Sequence, residues 1–179
     1  MPLAVSLTGG NRNDVTQLEP LLDKIPAVAG QVGRPRRRPD ALYIYPLTGR
    51  PGTDLPEGWD SIPGARGCTA EACGFRDHYQ DLLAAGATQV YGLSSQDSDY
   101  QREVTERLRL PFQMLSDPAR SLAQALDLPT FTTGGLTLYK RLTLIIKDNV
   151  IEHLFYPVFP PDKHADQVLD WLSDNVHRP

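Results

Sequence analysis

Sulfur is scarce in this chain: of 179 residues, two are cysteine and two are methionine. No uninterrupted apolar stretch approaches the roughly 20 residues of a membrane-spanning helix, so no membrane partner is expected. Positive charge is not in excess either. Eighteen basic side chains face 22 acidic ones for a net charge of −4, which argues against a nucleic-acid partner. The four histidines, His78, His153, His164 and His177, have no companions that would define a base. The opening Met1-Pro2-Leu3-Ala4 lacks a basic head and a cleavage signal, so the expected address is cytoplasmic.

The remaining composition is that of an ordinary folded protein, 40% hydrophobic and 22% charged. The length suits one domain over residues 1–179. The densest basic cluster, Arg34, Arg36, Arg37 and Arg38, is broken by Pro35 and closed by Pro39, and reads as a solvated loop. Residues 1–40 otherwise offer Gly9-Gly10 and a weakly amphipathic stretch from Val15 to Ile25, and their fold is left open.

Beyond residue 40 the pattern sharpens. Ala41 to Tyr45 is a β-prone run stopped by Pro46. Pro46 to Gly67 holds four prolines and five glycines, a loop far longer than usual and so of functional interest. Ala72, Phe75, Tyr79, Leu82 and Leu83 fall at helical spacing over 69–85, with Gly86 as the stop. Gln89 to Leu93 reads as a strand. Asp99 to Leu108 reads as a helix with Tyr100, Val104 and Leu108 on one face. Phe112 to Leu115 is a candidate short strand, and Ser116-Asp117-Pro118 signals a helix start that runs on through Leu126. Leu142–Ile146 and Val150–Phe155 flank Lys147-Asp148-Asn149 as a hairpin. A last helix spans His164 to Val176. Alternating strands and helices that close on an antiparallel hairpin predict an α/β layered domain with a mixed central sheet flanked by helices, the plan of thioredoxin-like folds.

Cys68 falls where the long loop ends and the first clear helix begins. Free N–H groups and partial positive charge at a helix start favour an anion, so the Cys68 thiol is expected below its free value of about 8.5. Arg66 and Arg76 are near enough in sequence to add to that field, and the reading requires a sulfur that solvent can reach. Cys73 lies five residues on. In an intact helix that spacing separates the Cα atoms by roughly 8–9 Å, beyond the ~7 Å that a disulfide tolerates. A bond between the two therefore needs a locally unwound helix. A pair of unrelated buried thiols, a zinc site with His78 as the one nearby ligand, and a dithiol oxidoreductase stay open beside a peroxidase.

The stretch Gly67-Cys68-Thr69-Ala70-Glu71-Ala72-Cys73-Gly74-Phe75-Arg76-Asp77 resembles the active-site segment of the Q-type peroxiredoxins, also called bacterioferritin comigratory proteins. Ile44-Tyr45-Pro46, Val90 to Ser94, Leu115-Ser116-Asp117 and Lys140 to Ile146 extend the likeness over roughly residues 41–175. The resemblance implies a thioredoxin-like fold with no metal or organic cofactor. It implies a thiol-dependent peroxidase, of the atypical kind that uses two cysteines of one chain, acting on hydrogen peroxide or organic hydroperoxides. Cys68 would be peroxidatic and pass through a sulfenic acid. Cys73 would resolve it as an intramolecular disulfide, and thioredoxin or a similar dithiol would reduce the pair. Arg141 matches the second active-site arginine, which holds the thiolate and polarises the peroxide. A thiol–disulfide oxidoreductase, or a redox sensor with weak peroxidase activity, is the alternative.

Two departures from the family pattern stand out. The proline seven residues and the hydroxyl residue three residues before the peroxidatic cysteine are here Ser61 and Ala65. Pro46 and Thr48 carry the matching residue types further upstream, so residues 47–67 read as an active-site loop insertion, with Thr48 expected to return the missing hydroxyl. Trp59 and Ile62 in that insertion either shield the site, meet a partner or tuck against the domain. The second departure is the N-terminal segment, which lacks the family's opening pattern.

Overall fold

A computed structural model describes residues 38–175. Arg34, Arg36 and Arg37, the stretch from Val15 to Ile25, and His177 lie outside the described residues.

Among the described residues, five strands form one sheet. Strand β1 (Asp40–Ile44) lies at its centre, parallel to β2 (Val90–Ser94) on one side and antiparallel to β6 (Leu142–Lys147) on the other. Strand β3 (Gln113–Ser116) extends the parallel half, and β7 (Val150–Phe155) the antiparallel half. Every residue of β1 is buried because both faces are covered. Ala41, Tyr43 and Tyr45 join one core with Phe75, Leu82, Val104 and Leu172; Leu42 and Ile44 join the other with Leu122, Leu142 and Leu144. This is the thioredoxin-like plan expected of the sequence.

The first helical stretch is two helices, α1 (Cys68–Asp77) and α2 (Tyr79–Ala84), broken at His78. Then come α3 (Ser98–Leu108), capped by the Asp97 carboxylate on the Tyr100 N–H, α4 (Ser121–Leu126) and α5 (His164–Asn175). The helix signalled at Ser116-Asp117-Pro118 starts later than its residues suggest. Arg120 takes a left-handed φ of 56°, and Asp117 reaches forward to accept the N–H groups of Ser121 and Leu122. A second, two-stranded sheet is absent from the sequence reading: β4 (Thr130–Thr133) and β5 (Leu136–Tyr139), turned at Gly134-Gly135.

This small hairpin receives the long loop. Trp59, in a short 3-10 turn (Trp59–Ser61), packs with Ala65, Leu138, Leu47, Ile62 and Phe131 in a third cluster. Its ring centroid lies 6.2 Å from that of Phe131. Of the readings open for Trp59, the tucked one holds, and the side chain is 5% exposed. One close approach shapes the other face. A side chain at Gly92 would put its Cβ 2.6 Å from the Tyr43 ring, so glycine is what lets Tyr43 lie across β2 toward Met114.

Candidate active site

Cys68 opens α1, with Gly67 as the cap residue at φ 96° and no side chain covering the helix end. Gly67 also lies against Pro161, where a Cβ would come within 2.4 Å of the proline ring. A side chain at position 67 would therefore meet both a disfavoured backbone conformation and a clash. The helix start predicted at Cys68 is thus fixed by a residue that cannot be larger.

Around the sulfur, Arg141 Nη2 donates to Cys68 Sγ at 3.2 Å, and the Leu47 backbone N–H is a second donor. The thiol itself donates to the Ala65 carbonyl at 3.5 Å. Arg141, carried just ahead of β6, is gripped on several sides. Its Nη1 pairs with the Glu71 carboxylate, and its Nη2 also reaches the carbonyls of Gly64 and Arg66 at 3.3 and 3.0 Å. The loop before Cys68 thus presents backbone acceptors, Gly64 and Arg66 to the arginine and Ala65 to the thiol.

Two expectations about Cys68 are corrected. The sulfur was expected to face solvent with a lowered pKa, yet the residue is 3% exposed and its thiol is raised. Burial is the larger cause. Arg141 and the Leu47 N–H pull the thiol down, while the charge of Glu71 pushes it up. The packed loop, absent from any periodicity argument, is what closes over the sulfur. Arg66 and Arg76 do not supply the field assigned to them: Arg66 is exposed beside Asp60, and Arg76 binds Asp77 and the Leu108 carbonyl and faces Cys73 instead.

Glu71 was missed by sequence reasoning. It is fully buried, its Oε1 has no hydrogen-bond partner among the described residues, and burial lifts its carboxyl to about 7 against the pull of Arg141. The available signal was its place three residues after Cys68, on the same helical face, among alanines. Cys73 is free and partly exposed within the same unbroken helix, as its spacing demands for the reduced state.

Thr48 is brought to the edge of the site, adjoining Leu47, but its hydroxyl is spent elsewhere. It donates to Gln96 Oε1 at 3.1 Å, inside a buried polar group with Ser94, Gln101 and Tyr45. Cys68, Arg141 and the peptide ahead of Thr48 are therefore assembled, whereas the Thr48 hydroxyl bonds Gln96.

The redoxin family pattern matches residues 45–169, the span that carries this thiol pair and its arginine. The chain is 31% identical over 150 residues to the chloroplastic peroxiredoxin Q of Sedum lineare, covering 80% of this chain and 71% of that protein. It is 32% identical over 137 residues to the chloroplastic peroxiredoxin Q of Oryza sativa subsp. japonica, covering 76% of this chain and 55% of that protein. The chain thus spans little more than half the length of several curated relatives. The crystal structure of peroxidoxin BcpB from Mycobacterium tuberculosis superposes with a TM-score of 0.61 at 26% identity, covering 80% of this chain and 82% of that one. The chain belongs to the redoxin family, and within it to the Q-type peroxiredoxins.

Proposed function

We propose that the chain is a thiol-dependent peroxidase that reduces hydrogen peroxide or organic hydroperoxides through Cys68 and Cys73. The observation that carries this reading is Arg141 Nη2, 3.2 Å from a sulfur at the first residue of α1, with a second thiol in the same helix. The Cys68 thiolate attacks one peroxide oxygen, the O–O bond breaks, and an alkoxide or hydroxide leaves and takes up a proton from solvent as Cys68 becomes a sulfenic acid. Arg141 stabilises the charge on sulfur and on the departing oxygen. Cys73 then attacks the sulfenic sulfur, releasing water and forming the disulfide, once α1 unwinds between the two residues. Thioredoxin or a similar dithiol returns both thiols by exchange. Thr48 lines the site through its peptide.

Residues 47–67 act in this reading as an insertion in one thioredoxin-like domain. We place the reaction in the cytoplasm, where two free cysteines would stay reduced. No nucleic acid or membrane takes part. Among the described residues, no helix is long and apolar enough to cross a membrane.

One equivalent of hydrogen peroxide followed by mass spectrometry tests the assignment. Wild type is expected to gain an intramolecular disulfide, Cys73→Ser a sulfenic acid or its over-oxidised products, and Cys68→Ser nothing. If Cys68→Ser consumes peroxide as fast as wild type, the roles are wrong. The buried, raised Cys68 thiol favours one second reading, a redox sensor with slow peroxidase activity. Single-turnover oxidation that thioredoxin does not carry into steady turnover would select it.

A further inference from the structure

The pairing of β1 with β2 runs out at Tyr45, whose N–H donates to the Leu93 carbonyl at 3.0 Å. Pro46 then takes the chain out of the sheet. Two residues later a side chain resumes what the strand had done. Gln96 Oε1 accepts the Thr48 N–H at 3.1 Å, and Gln96 Nε2 donates to the Thr48 carbonyl at 3.2 Å. A carboxamide gripping a residue at both its N–H and its carbonyl reproduces the two-sided bonding of a neighbouring strand. Gln96 is itself held: its N–H donates to Ser94 Oγ at 3.2 Å, and its carbonyl accepts from Ser116 Oγ at 2.7 Å. Tyr100 adds a further donor to the Thr48 carbonyl at 2.9 Å, but among the described residues only Gln96 holds the N–H side.

The held residue adjoins Leu47, whose backbone N–H is among the groups that pull the Cys68 thiol down. Ala65 brings no hydroxyl to the position three residues before Cys68, and the Thr48 hydroxyl is committed to Gln96. We infer that Gln96 is a positioning residue for the peroxidatic site, fixing the chain at Thr48 so that the Leu47 amide serves Cys68 as the second hydrogen-bond donor beside Arg141. The inference deepens the proposed peroxidase reading and rests on it for its catalytic meaning. The groups that bear on Cys68 are Arg141 ahead of β6, Glu71 on α1, Tyr43 in β1 and Tyr45 just after it. Gln96 adds no charge to that set. Its effect must pass through geometry.

The test uses the full chain carrying Cys73→Ser, with and without Gln96→Met or Thr48→Val. The first readout is the pH midpoint of Cys68 alkylation by iodoacetamide. The second is the amide resonance of 15N-labelled Leu47 followed through the same titration. The Leu47 resonance is expected to track Cys68 ionisation. Gln96→Met should abolish that tracking and raise the midpoint by about one unit, roughly a tenfold loss of thiolate at fixed pH below it. Thr48→Val, which keeps the peptide grip but loses the hydroxyl on Gln96, should shift the midpoint less than Gln96→Met does. A Leu47 resonance blind to the titration overturns the inference without any variant, so a Gln96→Met chain that fails to fold does not shelter it. Gln96→Met with a lower melting temperature and an unmoved midpoint also overturns it, as does Thr48→Val shifting the midpoint as far as Gln96→Met. Neither readout uses peroxide, so a chain that ignores peroxide would sink the function while leaving this arrangement standing.

Discussion

Glu71 and Arg141 form a buried pair whose members pull Cys68 in opposite directions. Arg141 stabilises the thiolate, and the charge on Glu71 opposes it while anchoring the arginine. Glu71→Gln keeps an acceptor for the guanidinium and removes the charge. The Cys68 alkylation midpoint is therefore expected to fall, most visibly above pH 7, where the native carboxylate is ionised. Arg141→Gln removes the cation and strands Glu71 in the core. A second-order peroxide rate about a hundredfold lower is expected in stopped flow, together with a loss of ~1–3 kcal/mol of stability from a buried carboxyl left without its partner. An Arg141→Gln chain as reactive as wild type would show that the guanidinium does not touch the reacting atoms.

At the scale of elements, the segment between β1 and α1 is not a loose loop. Trp59 packs on the β4–β5 hairpin, Thr133 Oγ1 donates to the Glu57 carbonyl at 3.4 Å, and the segment's last carbonyls hold Arg141. Trp59→Ala is expected to cost ~3 kcal/mol in a urea melt and to open residues 47–67 to limited proteolysis. Peroxide reactivity should fall with it, because the Gly64 and Arg66 carbonyls lose their footing. At the other edge of the site, Gly67→Ala combines a left-handed φ with the Pro161 contact. It is expected to destabilise by ~1–3 kcal/mol and to loosen the start of α1. Far-ultraviolet circular dichroism with denaturant titration would detect both effects.

Across the whole molecule, two buried groups give stability opposite pH dependences. His164 is lowered to about 4 by burial, with one ring nitrogen on Thr143 and the other on Gln167. A depressed base favours the neutral form in the fold, so its contribution is complete above about 6.5 and is lost as pH falls through 4. Glu71 is raised from 4.5 to about 7, so its contribution is complete below 4.5 and is lost as pH rises through 7. Between these limits the two largely offset each other. Relative to wild type, Glu71→Gln should lose more stability on acidification from pH 6.5 to 4.5, and His164→Asn less. Urea midpoints at several pH values check the pair, and parallel profiles for all three chains would contradict it.

The sequence by itself determined the sheet and the sulfur pair. Strand β1 is legible because a strand covered on both faces must be apolar throughout, and the start of α1 is legible because periodicity changes abruptly at Cys68. Five residues of helix between two thiols dictate their separation wherever the helix is placed. Tertiary structure decided the rest. The β4–β5 hairpin, half-exposed and rich in threonine, gives little apolar alternation to read, so the surface that receives Trp59 was invisible. The burial of Cys68, the raised Glu71 and the grip of Gln96 on Thr48 all join residues far apart in the chain. Desolvation and hydrogen-bond geometry act through space, and no local pattern of residues records them.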